Sequence, residues 1–179
     1  MKKRPPSDAL IARLNGRNRI DAFEAAKQIW QTDANGATAQ LLKTLRSGRR
    51  PFNRSAAAYA MQMVTSPRVI PALEKTVQDT SEAPDVRSHA AETLAHRHRR
   101  STHTLIVKQL LDPSRNVRFW CAFATGQMEE RTALPVLEVL LCDHRHVRGF
   151  HSVSKEAADA IGIIEQRKRG RRCPFCIVS

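Results

Sequence analysis

Clustered arginines are the residues of this sequence best suited to chemistry, and the chemistry is recognition. Arg46-Ser-Gly-Arg49-Arg50-Pro-Phe-Asn-Arg54, Arg115-Asn-Val-Arg118 and His144-Arg145-His146-Val-Arg148 each bring guanidinium groups together within a few residues. A guanidinium is always charged and presents its donors in a fork that matches phosphate or carboxylate, so such clusters suit an anionic partner. Lys43, Lys75 and Lys108 recur at steps of 32 and 33 residues, and Val139, 31 residues further on, ends the series. In a periodic structure these lysines form a ladder along which a phosphate backbone would lie. The balance of 30 Lys and Arg against 17 Asp and Glu, a net charge of +13, predicts attraction to nucleic acid or an acidic membrane.

Other reactive side chains are present without a catalytic arrangement. His96 and His98, or His144, His146 and His151, lack the helical i, i+4 spacing of a preformed metal pair, and no Cys-rich second half accompanies them. Lowering the pH toward 6 should instead charge the turn that carries His96, His98 and His103. Cys173-Pro-Phe-Cys176 has the spacing of half a zinc knuckle, and one half cannot close a tetrahedral site. Cys121, in a helical stripe, and Cys142, at a helix end, are read as packing residues. No nucleophile stands with a base and an orienting acid, and no Gly-rich loop follows a strand. The expectation is no catalytic residue, no metal and no cofactor.

The tail offers a different chemistry. Behind Arg167-Lys168-Arg169-Gly-Arg171-Arg172, the residues Cys176-Ile-Val-Ser179 match the C-a-a-X pattern, in which the cysteine takes a prenyl chain and a terminal Ser favours farnesyl. One such chain anchors weakly, so the basic residues and an acyl group on Cys173 would supply the second signal that stable attachment needs. In a cell without a prenyltransferase the same residues are a basic end.

A repeat must position these groups. Ala25-Ala26, Ala57-Ala58, Ala90-Ala91, Cys121-Ala122 and Ala157-Ala158 recur at steps of 32, 33, 31 and 36 residues. A period of roughly 30 to 40 marks a supersecondary unit that buries its apolar face only by stacking on its neighbours. Around the later pairs, apolar or small residues at i, i+4, i+5 and i+8 make one helical stripe, as Val117, Cys121, Ala122 and Thr125 do. Asp85, Asn116 and Ser152 each stand five residues before the first small residue and are the expected N-caps. Amphipathic segments follow at 39–45, 70–77, 103–111 and 134–141, and Asp79, Asp112 and Asp143 close three of them. The unit is helix A, turn, helix B, loop. Paired small residues on helix A let a neighbouring backbone approach closely. The pattern predicts an all-α fold, an α-solenoid of about four to five helix pairs, whose last helix, at 153–166, has no B partner.

Such an array gathers the loops from helix B to the next helix A on one edge, beside A-helix N-termini whose dipoles favour anions. Arg49, Arg50, Arg115, Arg145 and Arg148 are therefore the candidate anion-binding residues. Lys43, Lys75 and Lys108 fall on the B-helix face, usually the concave one, where a protein partner is expected. Two roles fit Arg54, Arg87 and Arg118: anion contacts, or staples to Asp79, Asp112 and Asp143 of neighbouring units.

The stretch Val117 to Leu141 carries Val-Arg, two variable residues, a small pair, Gly126, then Ala133-Leu134-Pro135 and a leucine-rich helix; Ile161-Gly162 and Val69-Ile70-Pro71 repeat parts of it. In this it resembles the HEAT-like repeats of the phycobilisome-lyase type, over roughly residues 18 to 165. The resemblance implies a helical array that serves mainly as a binding scaffold. A related architecture occurs in HEAT-like alkylpurine DNA glycosylases, which use Trp and an acidic residue. Trp30 and Trp120 with Asp112 or Glu138 are the types available here, but no catalytic motif aligns and no catalytic role is carried over.

The organisation expected is a basic N-terminal segment at 1–17, a HEAT-like repeat domain at 18–166 and a basic tail at 167–179. No run of about 18 apolar residues can span a bilayer, and Met1-Lys2-Lys3-Arg4-Pro5-Pro6 lacks the apolar stretch of a secretory signal, so an intracellular protein is expected. The functional expectation is a non-enzymatic adaptor with a protein partner on its concave face and nucleic acid or anionic lipid along its basic edge. A DNA glycosylase is the alternative.

Overall fold

The computed structural model describes residues 8–96 and 99–170, the last four by backbone alone. Arg171 to Ser179, with Cys173 and Cys176, lie outside the described residues. Packing divides the chain into two compact units, 1–97 and 98–179. The first holds α1 (Asp8–Leu14), α2 (Arg19–Thr32), α3 (Thr38–Ser47), α4 (Pro51–Ala60), α5 (Val69–Gln78) and α6 (Pro84–Leu94). The second holds α7 (Arg100–Gln109), α8 (Arg115–Gln127), α9 (Leu134–Leu140) and α10 (Val153–Gly170). The fold is all-α. Among the described residues the only β-type pairing is an isolated bridge between His146 and Ser152.

The small pairs sit where the period places them. Ala25, Ala26, Ala57, Ala58, Ala90, Ala91, Cys121, Ala122 and Ala157 are all completely buried. In the first unit they form the seams along which α2 packs on α4 and α4 on α6; in the second, α8 packs on α10. Ala158 is exposed, because no further described helix covers that side of α10. Close approach also explains Gly126 on α8: a Cβ there would lie 3.0 Å from Ala160 Cα of α10.

Two expectations change. Helix B packs chiefly on the A helix that follows it: α1 on α2, α3 on α4, α5 on α6, α7 on α8 and α9 on α10. Among the described residues there are thus five helix pairs, and the helix at 153–170 has a partner. The first pair draws on residues expected to be a basic segment, since α1 lies within 1–17. Leu14 is fully buried, and the Asn53 amide donates to the carbonyls of Leu14 and Gly16 at 2.7 and 3.1 Å. These bonds satisfy acceptors freed at the end of α1.

Helix starts also differ in detail. Ser152 caps α10, its hydroxyl accepting from the Lys155 N–H at 3.2 Å. Asp85 and Asn116 are not caps but lie in the first turns of α6 and α8, whose N-cap positions are Ala83 and Ser114. In α6 the cause is Pro84, which is pre-set for the first helical turn and needs no N–H there. Asn18, by contrast, caps α2 through its side chain, which accepts from Ile20 N–H and Asp21 N–H.

Candidate anion-binding edge

Each later connection from a B helix to the next A helix turns on an aspartate. The Asp79 carboxylate accepts from the Ser81 N–H at 3.0 Å and from the Ser81 hydroxyl at 2.5 Å. Asp112 accepts from the Ser114 N–H at 2.8 Å, and Asp143 from the Arg145 N–H at 3.3 Å. A side chain bonded to backbone two residues on substitutes for a backbone turn, which is why the aspartate recurs at helix ends.

Arginines of the A helices then tie these loops down. Arg54 on α4 donates through Nε and Nη2 to the two carboxylate oxygens of Glu82, both at 2.7 Å, and through Nη1 to the Gly48 carbonyl at 2.7 Å. Arg118 on α8 donates to Asp143 at 2.9 and 2.7 Å, and to the carbonyls of Asp112 and Pro113. Arg87 on α6 donates to the Val77 carbonyl at 3.1 Å and is almost wholly buried. For Arg54 and Arg118 the stapling role holds, with one change of partner: Arg54 meets Glu82, because Asp79 is turned into Ser81.

Arg145 is drawn partly into this framework. Its Nε and Nη2 reach Asp143 at 2.7 and 3.1 Å, although its side chain stays 60% exposed. Burial opposes the charge on Asp143, but hydrogen bonds from Arg145 and Arg118 outweigh it and hold the carboxyl down to about 2. Arg49, Arg115 and Arg148 are exposed and Arg50 is half-buried; Lys43, Lys75 and Lys108 are exposed on α3, α5 and α7. Among the described residues none of these seven makes an ion pair, so their charge is available to a partner. Lys43 and Lys75 belong to helices that pack on each other, and Arg46 and Lys75 line one groove of about 230 Å³ in the first unit.

The rings lie elsewhere. Trp30 is half-buried beside Tyr59, with ring centres 6.4 Å apart, and its Nε1 is buried with no hydrogen-bond partner among the described residues. Trp120 meets Phe119, Phe123 and Phe150 edge-on at 5.3, 5.5 and 5.1 Å. His103 lies on α7 and meets Glu130, Nδ1 to carboxylate at 2.8 Å, while His98 of the expected histidine turn lies outside the described residues. Burial opposes ionisation of Glu130, but bonds from Thr132 and His103 outweigh it and hold its carboxyl below the ordinary value. Glu92 on α6 goes the other way: burial raises it to about 7, only partly offset by a 3.2 Å bond from Gln62. Its place among apolar helices was not legible from sequence, where a single glutamate in a helix reads as surface. Among the described residues, no three His, Cys, Asp or Glu side chains gather as a metal site, and no helix is long and apolar enough to cross a membrane.

Successive helix pairs, small-residue seams and loops fixed by Asp and Arg define a helical repeat array. HEAT repeats are matched at residues 7–95 and 80–149, and the chain belongs to the HEAT repeat family. The match includes α1, in agreement with the first helix pair. A search of curated proteins finds none that matches this chain.

Proposed function

We propose that this chain is a non-enzymatic HEAT-repeat adaptor that binds a protein partner on its B helices and an anionic partner, nucleic acid or acidic lipid, through its basic loops. The carrying observation is the division of labour among the cations. Arg54 and Arg118 are bound into the framework, whereas Arg49, Arg115, Arg148 and the lysines of α3, α5 and α7 are exposed and Arg50 is half-buried, none of them in an ion pair among the described residues. Fixed charges that the fold does not use are the ones a polyanion can neutralise. The aromatic surroundings of Trp120 support the scaffold over the glycosylase, which needs a tryptophan open beside a carboxylate.

Titration with a fluorescent DNA duplex and with phosphatidylserine vesicles, each across a salt series, tests this. The four-fold variant Arg49→Ser, Arg50→Ser, Arg115→Ser, Arg148→Ser should bind at least tenfold more weakly, and on DNA its salt dependence should flatten by roughly 0.9 in slope for each phosphate that is no longer neutralised. Affinity that ignores salt, or an unchanged four-fold variant, would remove the loops from the reading. Release of a base from duplex methylated at purine N7 would overturn its non-enzymatic half.

A further inference from the structure

Four of the B helices expose the same two aligned positions, three residues apart. These are Lys43 and Arg46 on α3, Lys75 and Gln78 on α5, Lys108 and Leu111 at α7, and Val139 and Cys142 at α9. The chemistry changes along the series from polar to apolar. Leu111 is 68% exposed and Val139 66% exposed. With Cys142 they line one open groove of about 800 Å³ at the C-terminal ends of α7 and α9. Leu141 beside them is 40% exposed.

Packing does not require these side chains to be apolar, because lysine occupies the position of Val139 on three earlier helices. An apolar cluster in water gains only when something covers it. The surroundings say what the cover carries. Lys108 stands one turn before Leu111, Arg115 follows two residues after Pro113, and Arg145 and His144 line the groove. Its acidic members are turned inward: Asp143 onto Arg118 and Arg145, and Asp112 onto the Ser114 N–H, both nearly buried. Glu138, exposed beside Val139, is the acidic exception on α9. Resting on the adaptor reading above, we infer that this groove takes the apolar face of an acidic amphipathic segment of a partner protein. Leucine-type side chains then cover Leu111, Val139 and Cys142, and carboxylates face Lys108, Arg115 and Arg145.

The probe is a labelled 15-residue amphipathic peptide with leucines at i, i+3, i+4 and i+7 and glutamates on its other face, followed by fluorescence anisotropy with the full chain. A lysine-for-glutamate counterpart and a scrambled glutamate peptide serve as controls. The glutamate peptide should bind saturably, and both controls at least tenfold more weakly. Val139→Lys introduces the side chain that three other B helices carry and should weaken the glutamate peptide at least tenfold without changing the far-UV melting curve. Leu111→Gln, at an equally exposed position, should do the same if Val139→Lys disturbs folding. Val139→Lys should leave duplex-DNA affinity intact or raise it, which separates this groove from the basic loops. Loss of DNA binding in the four-fold arginine variant with no effect of Val139→Lys on the peptide would sink the groove and spare the loops. Equal binding of the lysine peptide, no saturable binding, or concentration-dependent dimerisation abolished by Val139→Lys would overturn the assignment to an acidic partner.

Discussion

Glu92 is the group through which neutral pH should act on this fold. It lies on α6, one turn beyond His89 and opposite Gln62, and Tyr59 of α4 responds to its charge. Among the described residues its carboxylate has one hydrogen bond and no cation partner. Burial therefore dominates and lifts it from the ordinary 4.5 to about 7. The sign follows from which state holds the proton. Below pH 4.5 both states are protonated; as pH rises, the unfolded chain ionises first while the folded chain keeps its proton. Stability present below 4.5 is lost as pH rises through about 7, after which both states are ionised and the loss is complete. The gap corresponds to a loss of about 3 kcal/mol at most. Glu92→Gln keeps the shape without the charge. It should match wild type near pH 4.5 and exceed it by about 1–3 kcal/mol at pH 8. Urea unfolding between pH 4.5 and 8.5, followed by Trp30 fluorescence in a Trp120→Phe background, reads the unit that contains Glu92. Burial also lowers His89, so wild type loses some stability on acidification, but that contribution is common to both proteins and cancels in their difference. A difference that stays flat with pH, or that favours wild type at pH 8, refutes the reasoning.

Two further perturbations test the framework. Ala91→Leu places three extra carbons in a completely buried seam and should cost on the order of 1–3 kcal/mol, whereas Ala158→Leu, on the exposed side of α10, should change stability by less than about 0.5 kcal/mol; thermal melts of both variants decide it. Asp143→Asn leaves the buried Arg118 guanidinium without its counter-charge and should cost on the order of 3 kcal/mol by urea unfolding at pH 7. In wild type the Asp143 contribution is present above pH 3.8 and lost as pH falls through about 2, so the two proteins should converge in strong acid.

The helices were legible because their signal is repeated. A pair of small residues every 31 to 36 positions cannot arise from surface composition, and nine of those ten residues are in fact completely buried. The Asp79, Asp112 and Asp143 helix ends were legible for the same reason. Pairing order was not. The stripe on each A helix says that it packs, but not whether its principal B partner precedes or follows it, and α1 carries no paired-alanine mark of its own. Asp85 and Asn116 fit the cap pattern in sequence yet lie in the first turn, because a short polar residue at a helix start suits both places; Pro84 is the local feature that separates the two in α6. For the candidate edge, sequence identified the cations but not their commitments. Arg145 and Arg148 look equivalent in the sequence, yet Asp143 sits two residues before one of them and holds it. Leu111 was hidden for a different reason: a leucine ending an amphipathic segment reads as core until its neighbours leave it uncovered.

In a repeat protein, repetition and function pull in opposite directions, and the two can be separated position by position. What recurs from unit to unit, the small pair in five and the turning aspartate and framework arginine in three each, answers a demand that the units share, which is to stack. What departs from the repeat answers no such demand. Exposed B-helix positions carry lysine on α3, α5 and α7 and valine on α9, with leucine three residues after the last lysine. Both choices are solvent-facing, so neither is explained by the core, and they differ in what they attract: cations gather phosphate or carboxylate at long range, while an apolar patch rewards only close cover. One scaffold with both would draw an acidic partner by charge and hold it by burial. Charge sets the rate of encounter and contact sets the lifetime. Raising salt should therefore slow association of an acidic amphipathic partner while leaving its dissociation nearly unchanged, and Val139→Lys should do the reverse.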